Sequence, residues 1–108
     1  MLHQDLTKEQ WQRLSFFYQM ANVGAEVGRA INWRQKNKDK SIAALERGLE
    51  LLDLTIGDKK NTSGKLKELC RLKEVLGDYF YGNNVYGFSD EAWQQYFYGF
   101  NHAAIVNK

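Results

Sequence analysis

Not one of the 108 residues is proline, although proline makes up about 5% of an average chain. No ring closes off a backbone donor anywhere, so long helices are permitted throughout. The apolar residues recur at helical spacing. Leu14, Phe17, Ala21, Gly24, Gly28 and Ile31 follow one another at steps of three and four, with Phe16, Met20, Val23, Val27 and Ala30 in a second stripe beside them. Two adjacent stripes predict a wide buried face. Thr7, with Gln10 three residues on, has the form of a capping box, and Leu6 and Trp11 stand at staple spacing. The expected first helix covers about residues 8–36. At 1.5 Å per residue it is about 43 Å long, longer than the helices that follow, and it must bend or project.

Asp39 or Ser41 is placed to cap a second helix over about 41–57, with Ile42, Leu45, Leu49, Leu52 and Ile56 on one stripe. Folding the chain back about Lys38 sets Gly28 level with Gly48, Val27 near Leu49 and Ile31 near Leu45. A helix-interior glycine costs on the order of 1 kcal/mol against alanine. A compensating close crossing is therefore expected at the two glycines, with the axes within about 9 Å. A third helix over about 64–81 carries Leu66, Leu69, Leu72, Leu76, Tyr79 and Phe80, with Cys70 beside the stripe as a small core residue. After the glycine- and asparagine-rich loop, Ser89 caps a fourth helix over about 90–105, with Asp90 and Glu91 in its first turn. Its inner face is Trp93, Tyr96, Phe97, Phe100, Ala103 and Ala104. No segment alternates with period two and no internal repeat is present. The expected architecture is a single all-α domain over 1–108, an up-down-up-down four-helix bundle with a long first helix.

A hydrophobic share of 44% and a charged share of 26% exclude a disordered chain. The lone Cys70 excludes a disulfide framework and fits a reducing, cytoplasmic setting. No apolar run approaches the roughly 18 residues of a membrane span, and the first residues lack a signal pattern, so a soluble protein without membrane contact is expected. The residues of metal and cofactor chemistry are too few. His3, His102 and Cys70 make no zinc set, Gly99 stands where a Glu-x-x-His pair would need its glutamate, and neither a phosphate loop nor a dinucleotide fingerprint is present. No catalytic residue, cofactor or metal is assigned, and the protein is read as a non-enzyme.

Two residue sets stand out. Asn22, Glu26 and Arg29 follow one another on the first helix, and Arg71, Glu74 and Asp78 on the third. Solvated i to i+3 and i to i+4 pairs explain them most simply. Burial of Glu26 or Arg29 would make a polar site or an interface the better explanation, and a metal-free hydrolase or nuclease on Glu26, Arg29, Arg71, Glu74 and Asp78 ranks third. Net charge is only +2, yet Arg34, Lys36, Lys38 and Lys40 against Asp39 give a local +3. Lys59, Lys60, Lys65 and Lys67 against Asp58 give another +3 at the opposite pole. The first pole should also carry the loop with Tyr81, Asn83, Asn84, Tyr86 and Phe88. Cations beside aromatic rings are what single-stranded nucleic acid uses.

The segments ANVGAEVGRAINW, ALERGLELLDLTI, LKELCRLKEVLGDYFYG and WQQYFYGFNHAA make the chain resemble a small, uncharacterised prokaryotic all-helical family over residues 11–104. In outline it also resembles four-helix-bundle accessory proteins and HEPN-like domains. It lacks the HEPN arginine four to six residues before a histidine. Fifteen aromatic residues supply more apolar surface than a small bundle readily hides. The leading expectation is a self-associating helical interaction module, an accessory or regulatory subunit in a prokaryotic cytoplasmic system, with itself and an unidentified protein as partners. The alternative is a single-stranded nucleic-acid-binding accessory protein using Arg34, Lys36, Lys38, Lys40 and Tyr86.

Overall fold

A tryptophan, not a proline, ends the first helix. The structure, a computed structural model, describes residues 7–106. In place of one helix over 8–36 it has two, α1 at Lys8–Gln12 and α2 at Phe16–Trp33. The Thr7 capping box forms as expected, while the Leu6 half of the staple lies outside the described residues. Trp11 is buried, and its indole Nε1 donates to Thr55 Oγ1 at 3.1 Å. Gln19 Nε2 donates to the Trp11 carbonyl at 2.9 Å, using the acceptor that an unbroken helix would offer to Ser15. Ser15 turns to extended geometry instead, and its hydroxyl accepts the Tyr18 N–H at 3.1 Å, capping α2. The chain bends so that a large aromatic surface enters the core, and two side chains satisfy the backbone groups this frees.

Gln19 belongs to a buried polar knot that fastens the chain around Thr55, Asp58 and Asn61. Its Nε2 also donates to Asp58 Oδ2 at 2.8 Å, and Asn61 Nδ2 donates to the Thr55 carbonyl at 2.9 Å. Asp58 accepts as well from the Lys60 N–H at 3.1 Å and from the Lys60 ammonium, which reaches on to the Gln12 carbonyl at 3.0 Å. Burial by itself raises the Asp58 carboxyl. The hydrogen bonds from Lys60 and Gln19, with the lysine charge, outweigh it and hold the group below the ordinary 3.8.

The second helix, α3, spans Lys38–Ile56 and starts earlier than expected. Asn37 is its cap, accepting the Lys40 N–H at 3.2 Å, so neither Asp39 nor Ser41 plays that part. Ser41 is buried inside the helix and donates to the Ala30 carbonyl at 2.7 Å. That carbonyl needs a donor because the Arg34 N–H has turned to Ile31. The early start also shifts the register of the α2–α3 crossing. Gly48 lies against α2 beside Val23, Glu26 and Val27, where an added Cβ would stand 3.3 Å from Glu26 Cβ, but Gly28 meets nothing within 4 Å. The expected Gly28–Gly48 crossing is therefore corrected: only Gly48 makes the close approach to α3's neighbour. Gly24 packs on the last helix, with Phe97 where its Cβ would be.

The last two helices are α4, Ser63–Tyr81, and α5, Asp90–Val106, the latter with the expected cap from the Ala92 N–H to Ser89 Oγ at 3.0 Å. Among the described residues the fold is thus all-helical with five helices, where four were expected. The α2–α3 and α4–α5 pairs are each antiparallel. Ser41 meets Ala30, Lys73 pairs with Asp53 at 2.7 Å, and Tyr96 donates to Glu68 at 3.2 Å while Tyr79, further along α4, donates to Asp90. The main core joins Met20, Val23 and Val27 of α2 to Leu52, Leu69, Leu76 and Trp93. Cys70 is exposed, not a core residue, because Leu69, Leu72 and Leu76 turn inward and carry it to the outer face. No described helix is long and apolar enough to cross a membrane.

Candidate functional site

The six-residue polar set divides into two unrelated groups. Glu26 is buried at 4% exposure, so the solvated-pair reading fails for it. Its two oxygens accept from Arg29 Nη1 at 2.6 Å and Arg47 Nε at 3.3 Å. Arg47, on α3, escaped the sequence reading because its partner lies on another helix. Asn22 donates to the Tyr18 carbonyl at 2.8 Å and takes no part. On α4, Asp78 accepts the N–H groups of Val85 and Tyr86 at 3.0 and 3.1 Å. The Arg71 guanidinium lies 5.5 Å from the Tyr86 ring centre. Desolvation and the neighbouring Glu74 carboxylate both raise the Tyr86 hydroxyl. Arg71, Glu74 and Asp78 thus hold a loop, and nothing brings them to Glu26 or Arg29.

That loop closes an aromatic hollow of about 300 Å³ between α4 and α5, walled by Tyr86, Phe88, Trp93 and Tyr96 with Glu68 and Arg71 at its edge. Phe88 lies on Trp93 with ring centres 4.3 Å apart, and the Trp93 indole N–H is buried without a partner. Burial and the Glu68 carboxylate raise the Tyr96 hydroxyl. Tyr79, next to this cluster, is pushed up to about 12 by burial and by its hydrogen bond to Asp90.

At the basic pole the structure brings Arg34 and Lys38 to one cleft and leaves Tyr86 elsewhere. Tyr86 is held beside Arg71, eight residues back from Tyr79, which is about 12 Å along α4. Arg34 reaches Tyr79 itself. Its Nη2 donates to the Tyr79 carbonyl at 3.0 Å, and its guanidinium sits over the rings of Tyr79 and Phe80 at 4.7 and 5.0 Å. The aromatic residues that line the cleft here are therefore Phe80 and Tyr81. They line this cleft of about 560 Å³ with Arg34, Gln35, Lys38 and Ser41 above an apolar floor of Ile42 and Leu45. Lys36 is exposed nearby, and the Lys40 ammonium lies 4.4 Å from the centre of the Trp33 ring.

A third surface was not foreseen. The seam between α2 and α5 opens into two hollows that share Asn101. One, of about 340 Å³, is lined by Tyr18, Ala21, Asn22, Ala104 and Ile105; the other, of about 260 Å³, runs past Gly24, Gly28, Ile31, Gln94 and Tyr98. Neither wall contains a charged side chain. Tyr98 and Ile105 stand out on its rim at 69% and 72% exposure. The sequence did hold the signal, since residues 16–25 and 92–106 contain no Asp, Glu, Lys or Arg.

Among the described residues no three of His, Cys, Asp and Glu come together as metal ligands would. His102 is exposed on α5, and His3 lies outside the described residues. No family model matches the chain, and neither a curated protein nor a solved structure matches it.

Proposed function

We propose that this protein is a non-enzymatic helical interaction module that pairs with a second copy of itself through the α2–α5 seam. In this reading α2 to α5 form the up-down-up-down bundle that displays the seam, and the dimer serves as an accessory or regulatory subunit in a prokaryotic cytoplasmic system. The observation that carries it is an uncharged exposed face, in a chain whose charged share is 26%. Depletion of charge with exposed tyrosine is the compositional mark of an interface centre. The choice of a second copy follows from symmetry. A two-fold interface sets a patch against itself, which repels any patch of one sign and suits a neutral one. Tyr18, Asn22, Tyr98 and Asn101 each carry donors and acceptors together, so the patch complements itself in hydrogen bonding as well.

The non-enzymatic reading is supported by what the candidate polar groups already do. Glu26 is engaged by two arginines, Asp78 by two backbone donors and Asp58 by Lys60 and Gln19. The test is sedimentation velocity across a concentration series. Wild-type protein should move from 12.6 kDa toward twice that mass. Tyr98→Glu and Ile105→Glu, both at well-exposed positions, should stay at the single mass with unchanged circular dichroism. A wild-type chain that remains monomeric at hundreds of micromolar refutes the proposal.

A further inference from the structure

We infer that the cleft at the basic pole binds a nucleoside phosphate, either free or as one unit of a single strand, with the phosphate at Arg34 and Lys38 and the base against Tyr81. Its volume of about 560 Å³ lies within the roughly 300–1,000 Å³ that small-molecule sites occupy. Its lining is divided by chemistry. Arg34, Gln35 and Lys38 offer donors, and Ile42, Leu45, Phe80 and Tyr81 offer apolar and aromatic surface. A ligand that satisfies both carries an anion and a flat ring.

Arg34 is prepared for an anion. Its guanidinium is fixed by the Tyr79 carbonyl and by two ring faces, which leaves the rest of a forked, planar donor set in a defined place. Lys38 adds a second charge at the start of the 19-residue helix α3, where the first backbone N–H groups point outward. With Lys36 and Lys40 on either side of Lys38 in sequence and Asp39 the one carboxylate among residues 34–40, this segment carries a local charge of +3. Tyr81 is 58% exposed and free to stack on a base. Trp33, on the same pole under Lys40, offers a second ring to a neighbouring unit of a strand. This site does not depend on self-association, since no residue of the α2–α5 seam lines it.

The experiment is fluorescence anisotropy of short labelled single-stranded RNA and DNA over a salt series, with unlabelled AMP and CMP as competitors. Tyr81→Ala and Lys38→Ala are the variants, both exposed and neither disturbing the Asn37 cap. Binding should weaken roughly 5- to 150-fold in Tyr81→Ala, the range for loss of one stacked base. In Lys38→Ala the slope of log affinity against log salt should fall by roughly 0.7, one phosphate contact on a single strand. Competition by the mononucleotides identifies the free nucleoside phosphate as the ligand, and binding of oligonucleotides alone identifies the strand. Failure of both to bind at tens of micromolar in low salt overturns the inference. So does binding that survives unchanged in both variants.

Discussion

Replacing Gly24 and Gly28 by alanine, one at a time, separates helix propensity from steric fit within a single helix. Both lie in the interior of α2, so each substitution gains about 1 kcal/mol of propensity. Their surroundings differ. A Cβ at position 24 would stand 2.7 Å from Phe97 Cβ, Cγ and Cδ1, whereas one at position 28 meets nothing within 4 Å. The Phe97 ring cannot swing away, because it is buried and packed against Trp93, Tyr96 and Phe100. Its Cβ is fixed to the α5 backbone. Reaching an ordinary 3.4 Å contact requires the two helices to part by 0.7 Å, the difference between 3.4 and 2.7. Overpacking of this kind costs about 1–3 kcal/mol. Gly24→Ala should therefore fall between neutral and about 2 kcal/mol less stable than wild type, and Gly28→Ala should be about 0.5–1 kcal/mol more stable. Propensity cancels between the two variants, so their separation is the steric cost itself, at least about 4 °C in melting midpoint per kcal/mol. Equilibrium urea unfolding, with an unchanged m-value, reads it directly. A Gly24→Ala protein as stable as Gly28→Ala refutes the close approach of α2 to α5. Gly28 also lines the seam, so its alanine variant should stabilise the single chain while weakening pairing.

Three further outcomes follow from the polar contacts. Gln19→Leu removes the donor to both the Trp11 carbonyl and Asp58, and should cost about 2–4 kcal/mol in urea unfolding; a loss below about 1 kcal/mol would show the knot to be dispensable. Asp58 titrates below 3.8 in the folded chain and at about 3.8 when unfolded, so the unfolded state binds the extra proton and stability drops as pH falls from 3.8 through the folded value. Asp58→Asn should flatten that acid limb while lowering stability at neutral pH, and an unchanged acid limb would dismiss the carboxylate as its source. Tyr79, raised from 10.0 to about 12, contributes stability that is complete below pH 10 and lost as pH rises through about 12. Tyr79→Phe should lack this contribution to the alkaline loss, followed by circular dichroism between pH 10 and 12, and an unchanged alkaline limb would dismiss the Tyr79 hydroxyl as a source.

The parts of the fold legible in the sequence are those fixed by neighbours along the chain. The Thr7 capping box and the Ser89 cap need only residues three apart, and both form. The inner stripe of α4, Leu69, Leu72 and Leu76, follows from periodicity alone. What escaped depends on partners far away in sequence. The break at Ser15 is set by Thr55 and Gln19 acting on Trp11, from 44 and 8 residues away, and periodicity continues through it undisturbed. The α3 start was misread because Asn37, Asp39 and Ser41 are all competent caps, and the choice falls to Asn37 once Ser41 is needed inside for the Ala30 carbonyl. Cys70 was placed inward by its neighbours' apolar character, although it stands one residue off the stripe. The same limit applies to the polar set. Spacing showed that Glu26 and Arg29 share a helix face, but only the crossing of α3 supplies Arg47 and with it the reason Glu26 is buried.

The distribution of charge divides the molecule by helix. Charged side chains of α3 and α4, among them Glu46, Asp53, Lys65, Lys67 and Lys73, stand on exposed faces away from the buried Leu45, Leu52, Leu69 and Leu76. The α2–α5 contact is close where Gly24 receives Phe97, and its two hollows are lined without a charged side chain. Nothing in the physics of a lone chain requires the remaining outer surface of that contact to be neutral, because a lysine or glutamate at position 98 or 105 would be freely hydrated. Neutrality there is what the proposed pairing of two seams would require. The cations concentrated at the α2–α3 turn face no such constraint and gather where the Arg34 guanidinium is already fixed by Tyr79 and Phe80. The two surfaces thus differ in electrostatic character, one neutral and one cationic, and share no lining residue, which is the condition under which the proposed pairing seam and the proposed anion cleft would act without competing.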